Sequence, residues 1–384
     1  MKGVTKGNIK KYALNEFLTE YKELNTDNKY RPVAVGRYGI RKRESIYSKE
    51  LAKDYSKNKL IHKGTLTVGM GSKQIDIGIL IEDEIFAVSP AYHTYEIQGI
   101  RCKYLEYCLR SKNIEMFSLY AKRGSRQGKS IDLKRWLTYK IPVYSEKDQI
   151  VIEENLNKIN YVIELRRKQI DLLDELVKAR FVEMFGDVQD AKKHSDKQLK
   201  DICNTVTGGT PSTKHAEYYN GTIPWVSTVS LGPNYIDGTT AKAFITQEAV
   251  DNSSTKIIPS GSILFGTRVG VGKSSINQVE MCTNQDIVAI IDLDESKYNK
   301  LYIKYVLDTY QSYFDSIKKG ATILGISSDD LKNIYIPDAS LYEQNRFEKF
   351  VKQIDKSRLL NICLKSLVES VLKIRIFSEY KKSS

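Results

Sequence analysis

The chain repeats itself at half its length. Ile141-Pro142 is followed by Gln149 and Ile336-Pro337 by Gln344, and the matched pairs share one offset, 337 − 142 = 344 − 149 = 375 − 180 = 195. A duplication of this size in 384 residues constrains the architecture before any motif is read: it calls for two similar units about an approximate twofold. Two units also suit a chain too long for a single core. A pair of this kind matches a target that is itself bipartite.

Each copy contains a long stretch of helical periodicity. Between Glu146 and Phe185 there is no Gly or Pro, and Ile152, Leu156, Ile159, Ile163, Ile170, Leu173 and Val177 recur at steps of four and three. Arg166 alone breaks the stripe, and Gly186 predicts the helix end. Some forty residues make a rod of roughly 60 Å. The second copy starts near Leu341: Phe347, Val351 and Ile354 set its stripe, and Leu360, Leu364, Leu367, Val371 and Ile374 resume it one residue out of phase. Helices this long expose an apolar seam unless paired, so an antiparallel pair is expected.

The intervening segments alternate short β-rich runs with Gly, Pro, Asn and Ser turns. Residues 261–266 and 286–291 are matched by 64–69 and 85–88, followed by expected helices over 104–119 and 302–317. The expected fold is α+β, with globular domains at 1–144 and 188–338. Two long antiparallel, coiled-coil-like helices, 145–187 and 339–384, separate them, and the whole carries an internal pseudo-twofold.

Lys and Arg number 60 against 47 Asp and Glu, a formal charge of +13, which favours an anionic partner and nucleic acid first. No apolar run is long enough to span a membrane, the N-terminus has no signal-peptide core, and the five cysteines are scattered; a cytoplasmic, reduced protein without a membrane role is expected. The four histidines lie far from any cysteine pair, so no metal site is expected. Gly266-Thr267-Arg268-Val269-Gly270-Val271-Gly272-Lys273-Ser274 resembles a phosphate-binding P-loop but has one residue too many before its Gly-Lys pair, and a strand-like alternation follows where a helix should start. A surface turn suited to a nucleic-acid backbone fits better, through Arg268, Lys273 and Ser274. No hydrolase, metalloprotease or methyltransferase signature is present. Basic runs stand at Arg37, Tyr38, Arg41, Lys42 and Arg43 and at Arg123, Arg126, Gln127 and Lys129; Arg and Gln are suited to guanine and adenine edges. The rival readings are a P-loop or nuclease enzyme acting on DNA and a coiled-coil adaptor that does not bind it.

Thr207-Gly208-Gly209-Thr210-Pro211-Ser212, followed by Tyr218-Tyr219-Asn220-Gly221-Thr222-Ile223-Pro224-Trp225-Val226, resembles the opening of a target recognition domain in DNA specificity subunits of type I restriction–modification systems. The Arg268–Lys273 turn, Thr283-Asn284-Gln285-Asp286 and Ile326-Ser327-Ser328-Asp329-Asp330-Leu331-Lys332 follow in that family's order, and Leu173–Asp187 resembles its spacer. The first unit keeps Val88-Ser89-Pro90-Ala91-Tyr92, Ile131-Asp132-Leu133-Lys134 and Ile141-Pro142, but not the opening strings. The resemblance implies a non-catalytic subunit that reads a split site in double-stranded DNA. It would scaffold two subunits of an N6-adenine methyltransferase, with restriction subunits joining them. S-adenosylmethionine would belong to the methyltransferase, ATP and Mg to the restriction partner, and no cofactor to this chain. Candidate DNA-binding residues then also include Lys73, Thr210, Ser212, Lys214 and Trp225. The candidate pairing and docking positions are Ile152, Leu156, Ile159, Ile163, Leu173, Val177, Phe347, Val351, Ile354, Leu364 and Val371.

Overall fold

The structure, a computed structural model, describes residues 10–36, 39–47, 52, 54–123, 129–188, 191, 195–320 and 324–377. Side chains are outside that description for Arg123, Lys129 and the last helix beyond Ile362, Leu364 excepted. The chain divides into two compact units, Met1–Leu165 with Ser366–Ser384, and Arg166–Lys365.

In the first unit β2 (Leu18–Glu20), β9 (His93–Ile97), β6 (Thr65–Met70) and β7 (Ile75–Ile79) form an antiparallel sheet in that order. Helices α1 (Cys102–Ser111) and α2 (Asn113–Tyr120) follow it, and Leu66, Val68, Ile77, Leu105, Leu109 and Trp136 meet in the core. Smaller antiparallel pairs surround the sheet: β1 (Lys10–Ala13) with β12 (Lys140–Val143), β3 (Val33–Gly36) with β4 (Gly39–Lys42), β5 (Lys59–Ile61) with β8 (Phe86–Val88), and β10 (Ala121–Arg123) with β11 (Lys129–Ile131). A short α3 (Leu133–Trp136) leads to β12 and to α4 (Glu146–Phe185).

The second unit has a five-stranded sheet in the order β13 (Asn204–Thr207), β21 (Ile287–Ile291), β18 (Ile263–Gly266), β19 (Ser274–Asn277), β15 (Tyr235–Ile236). A four-stranded sheet runs β16 (Ala243–Ile245), β14 (Ile223–Val226), β20 (Met281–Thr283), β17 (Ile257–Ile258). The helices are α5 (Gln247–Asp251), α6 (Lys300–Thr309), α7 (Gln311–Ile317), α8 (Ser328–Lys332) and α9 (Leu341–Phe377).

The duplication is visible element by element. Helices α1 and α6 start 300 − 102 = 198 residues apart, and α4 and α9 start 341 − 146 = 195 apart. The repeated Ile-Pro and Gln now have a physical reason. Tyr104 donates its hydroxyl to the Pro142 carbonyl at 2.9 Å, and Tyr302 does the same to Pro337 at 2.8 Å. Gln149 accepts from the Arg101 backbone N–H at 3.1 Å and Gln344 from that of Asn299 at 2.8 Å, just ahead of α1 and α6. Glu153 and Glu348, one helical turn on, accept from the Tyr104 N–H and the Asn299 amide, both at 3.0 Å. Buried polar groups need such partners, and here they fix each globular part to its long helix.

Two expectations change. The helices expected over 104–119 and 302–317 are each broken in two, because Lys112 (φ −108°, ψ 12°) and Tyr310 (φ −73°, ψ 4°) leave the helical region. The strand matching 287–291 is β9, not 86–88: β9 lies beside β6 as β21 lies beside β18, whereas 86–88 pairs with β5. The sequence His93-Thr94-Tyr95-Glu96-Ile97 hides this, because a sheet covered on one side does not need a continuous apolar run.

Within the second unit α4 and α9 pair antiparallel: Phe181 meets Phe347, Asp174 meets Arg358 and Arg166 meets Asn361, so partner numbers rise as α4 is traced backwards. Phe181, Val177, Phe347 and Val351 are buried in one cluster with Tyr302, Tyr305 and Val306. At about 1.5–3 kcal/mol for each large apolar side chain buried, this cluster is the main anchor of the pair. Leu156 and Ile163 are also buried, while Ile152, Ile159, Leu173, Ile354 and Leu364 are half-buried; the Val371 side chain lies outside the described residues. The expected return of the stripe at Leu360 does not occur, since that residue is 62% exposed. In-phase positions 358 and 361 carry Arg and Asn instead, and a polar layer occupies the seam where an apolar one was expected.

Candidate nucleic-acid interface

The ends of four neighbouring strands place several loops along one edge of the five-stranded sheet. Beyond β13, Gly208 donates its N–H to Ile287 at 3.0 Å and Gly209 to Thr283 at 2.9 Å. A Cβ on Gly208 would sit 2.2 Å from the Thr283 hydroxyl, so only glycine lets this strap lie so close. The strap carries Thr210, Ser212 and Lys214 to the surface, where the Thr210 hydroxyl donates to Gln285 Oε1.

Beside it, β18 and β19 are joined by the Gly266–Ser274 turn. Gly270 (φ 73°) and Gly272 (φ 89°) take the left-handed conformations that reverse the chain, and Val271, 5% exposed, plugs into the core. Gln311 donates to the Val271 carbonyl at 3.0 Å, and the Ile326 N–H donates to the Thr267 carbonyl at 2.8 Å. Held this way, the turn exposes Arg268, Val269 and Lys273. Arg268 Nη1 stands 3.8 Å from Asp286 Oδ1 with 57% of its side chain exposed. An ion pair so open contributes about 0–1 kcal/mol, so Arg268 can move to a phosphate at little cost. The edge thus puts two exposed cations beside a surface glutamine and hydroxyls, a set able to grip a backbone and reach a base edge.

Two residues expected at this surface lie beneath it. Trp225 is 6% exposed, and its Nε1 donates to the Gly209 carbonyl at 3.0 Å, so it ties down the strap from below. Ser274 is 1% exposed, and its hydroxyl donates to Asp308 Oδ1 at 2.5 Å. Asp308 also accepts from Lys304, itself 3% exposed, at 2.6 Å. A pair with its charges reversed, buried at the carboxylate and half-buried at the guanidinium, stands at the equivalent place in the first unit. Glu106 (304 − 198) accepts from Arg110 (308 − 198) at 2.8 Å. Gln285, Asp286, Gln311 and Asp308 were not among the expected site residues. The string Thr283-Asn284-Gln285-Asp286 was visible, but its neighbours across the sheet were not.

In the first unit Arg41 and Lys42 are exposed on β4, Arg43 is half-buried over the Tyr55 ring at 5.4 Å, and Lys73 is exposed in the β6–β7 turn that corresponds to the Gly266–Ser274 turn. Lys29, Arg31, Lys42 and Arg43 line a cleft of about 290 Å³ with Glu44 and Glu84. Arg123 and Lys129 pair through β10 and β11, and their side chains are outside the description; Arg37, Tyr38, Arg126 and Gln127 lie outside the described residues. No cluster of His, Cys, Asp or Glu among the described residues could hold a metal, and no helix among them is long and apolar enough to cross a membrane.

The second unit is thus a mixed-sheet domain with a basic, glycine-shaped edge, joined to long helices. Residues 192–369 match the family described as the type I restriction modification DNA specificity domain. The specificity subunit of a type I restriction enzyme of Methanocaldococcus jannaschii is 32% identical over 184 residues, 47% of this chain and 43% of that subunit. One from Escherichia coli is 32% identical over 169 residues, 41% of this chain and 40% of that subunit. The match thus spans about two-fifths of the length of these relatives. A chain solved for the "complex assembly and conformational transition of the type I R-M system" superposes with a TM-score of 0.57 at 15% identity, covering 97% of both chains, and so shares the fold.

Proposed function

We propose that this chain is the DNA-reading subunit of a type I restriction–modification complex and has no catalytic role of its own. Each globular domain would read one half of a split site in double-stranded DNA. The carrying observation is the edge that sets Arg268 and Lys273 beside Thr210 and Gln285, inside the segment that matches the specificity-domain family. Methyltransferase subunits, two of them, would dock on the long helices, where Leu172, Leu176, Leu359, Leu360 and Ile362 are 47–62% exposed. Restriction subunits would join through them. S-adenosylmethionine is then the methyltransferase's ligand and ATP with Mg the restriction subunit's, in the cytoplasm where the DNA lies.

Exchanging residues 1–144 for another recognition domain tests this reading. Mapping methylated bases in cells that carry the methyltransferase should show one half of the split motif changed and the other kept. A motif changed in both halves, or no split motif with the unaltered chain, overturns it.

A further inference from the structure

The second unit contains a continuous polar connection from the helix pair to the recognition edge. Arg358 on α9 pairs with Asp174 on α4 through Nη2 and donates from Nη1 to Asp355 Oδ1 at 2.7 Å. The other carboxylate oxygen of Asp355 accepts from the Asn234 amide, also at 2.7 Å. Asn234 is 9% exposed, stands directly before β15, and accepts at its carbonyl from the Ile276 N–H of β19 at 2.9 Å. Strand β19 begins at Ser274, where the basic turn ends. Two residues, Asp355 and Asn234, therefore link the interhelical ion pair to the strand that follows Lys273, the last step running through the Asn234 backbone carbonyl.

The first unit ties its domain at the matching position through a different pair of residues. Asn160 (355 − 195) donates to the hydroxyl of Tyr107 at 2.9 Å, and Tyr107 matches Tyr305 (305 − 198) beside Asn234. Position 163 (358 − 195) is isoleucine, 7% exposed, which has no donor with which to carry the tie on to a second helix.

We infer that Asp355 is a positioning residue that couples the pairing of the two helices to the seating of the second recognition domain on DNA. A carboxylate shared between a guanidinium and an amide forms short, directional, charge-assisted bonds. Partly buried, it has little water to substitute for either partner, so a shift of Arg358 against Asp174 is transmitted to Asn234. A contiguous network of this kind is the physical route by which two sites influence one another. Among the described residues the first domain has isoleucine where the second has Arg358, so this route belongs to the second unit. This inference rests on the proposed reading of a split DNA site.

The test uses the full chain with its methyltransferase partner and maps methylated motifs and their rates. Asp355→Ala and Asn234→Ala are expected to admit sites whose gap differs by about one base pair, roughly 3.4 Å of duplex, with both half-site sequences unchanged. Asp174→Ala and Asn234→Ala combined should depart at least about threefold from the product of their separate rate losses, as coupled neighbours do. If Asp355→Ala fails to fold, Asp355→Asn keeps the volume, removes the charge and carries the same expectation. A single fixed gap in folded variants, or rate losses that simply multiply, overturns the coupling. An unaltered chain that supports no split motif overturns the functional reading instead.

Discussion

Arg166 donates from Nη1 to Asn361 Oδ1 at 2.8 Å, and the two residues stand 361 − 166 = 195 apart. That number is the offset of the duplication itself. A residue meets its own repeat counterpart only where two antiparallel copies cross, so this hydrogen bond marks the pseudo-twofold of the helix pair. It also explains the one break in the apolar stripe of α4. A polar pair in a hydrophobic seam costs stability but sets register.

Replacing it should separate those two effects. Arg166→Leu with Asn361→Leu is expected to raise the melting temperature, because a half-buried polar pair in a helix seam sets register at a cost in stability. The same variant should lose its single register and show a second species by light scattering. A lowered melting temperature with one species would show that the pair serves stability instead.

Arg268 and Lys273 should govern how DNA binding responds to salt. Each phosphate that is no longer neutralised lowers the slope of log affinity against log salt by about 0.9, so Arg268→Ala with Lys273→Ala should lower it by about 1.8. Titrations of a labelled duplex at several salt concentrations measure this. Asp286→Asn should act in the opposite sense and tighten binding, since it releases Arg268. A slope that does not move in the double variant removes this turn from the interface.

The two acids near that turn should differ sharply in their effect on folding. Asp308→Ala leaves Lys304, 3% exposed, without its partner, and removing one member of a buried pair costs about 3–5 kcal/mol. Asp286→Asn breaks a pair whose arginine is 57% exposed, keeps an oxygen to accept from the Asn284 amide, and should cost about 0–1 kcal/mol. Urea melts of the two variants give the comparison. Lys304→Met combined with Asp308→Leu should recover most of the stability, and failure to do so would assign the cost to the Ser274 bond.

Trp225→Phe keeps most of the buried ring but leaves the Gly209 carbonyl, also buried, without its donor. Such an orphaned group costs about 1–3 kcal/mol. The strap carrying Thr210 and Ser212 should then loosen, weakening DNA binding beyond what the unfolded fraction explains. A drop in stability alone, with normal affinity in the folded fraction, would restrict Trp225 to the core.

Much of the frame was legible in the sequence. The absence of Gly and Pro between Glu146 and Phe185 and the positive φ of Gly186 bound α4 as expected. The glycines of the Gly266–Ser274 turn signalled a hairpin and not a nucleotide loop. What could not be read was depth. Trp225 and Ser274 looked like surface groups because composition says nothing about which side of a sheet a residue faces. Asp308 looked like one more helix acid, because its partner Ser274 lies 308 − 274 = 34 residues away. Gln285 gained meaning only when the pairing of β13 with β21 brought Thr210 to it. Local periodicity carries the helices, whereas the site is assembled from long-range pairings that no short window contains.

The reversed charges of Glu106–Arg110 and Lys304–Asp308 set a rule for anyone recombining this protein. Whole domains can be cut and joined at Pro142 and Pro337, where both copies present the same tyrosine hydroxyl to the same carbonyl. Each pair lies within one helix and travels with it, but α1 set in the place of α6 would put Arg110 where Asp308 accepts from Ser274, and the Ser274 hydroxyl would lose that acceptor. Exchange of whole domains keeps such contacts within each block, whereas exchange of a single helix breaks them, which favours junctions at the ends of the long helices.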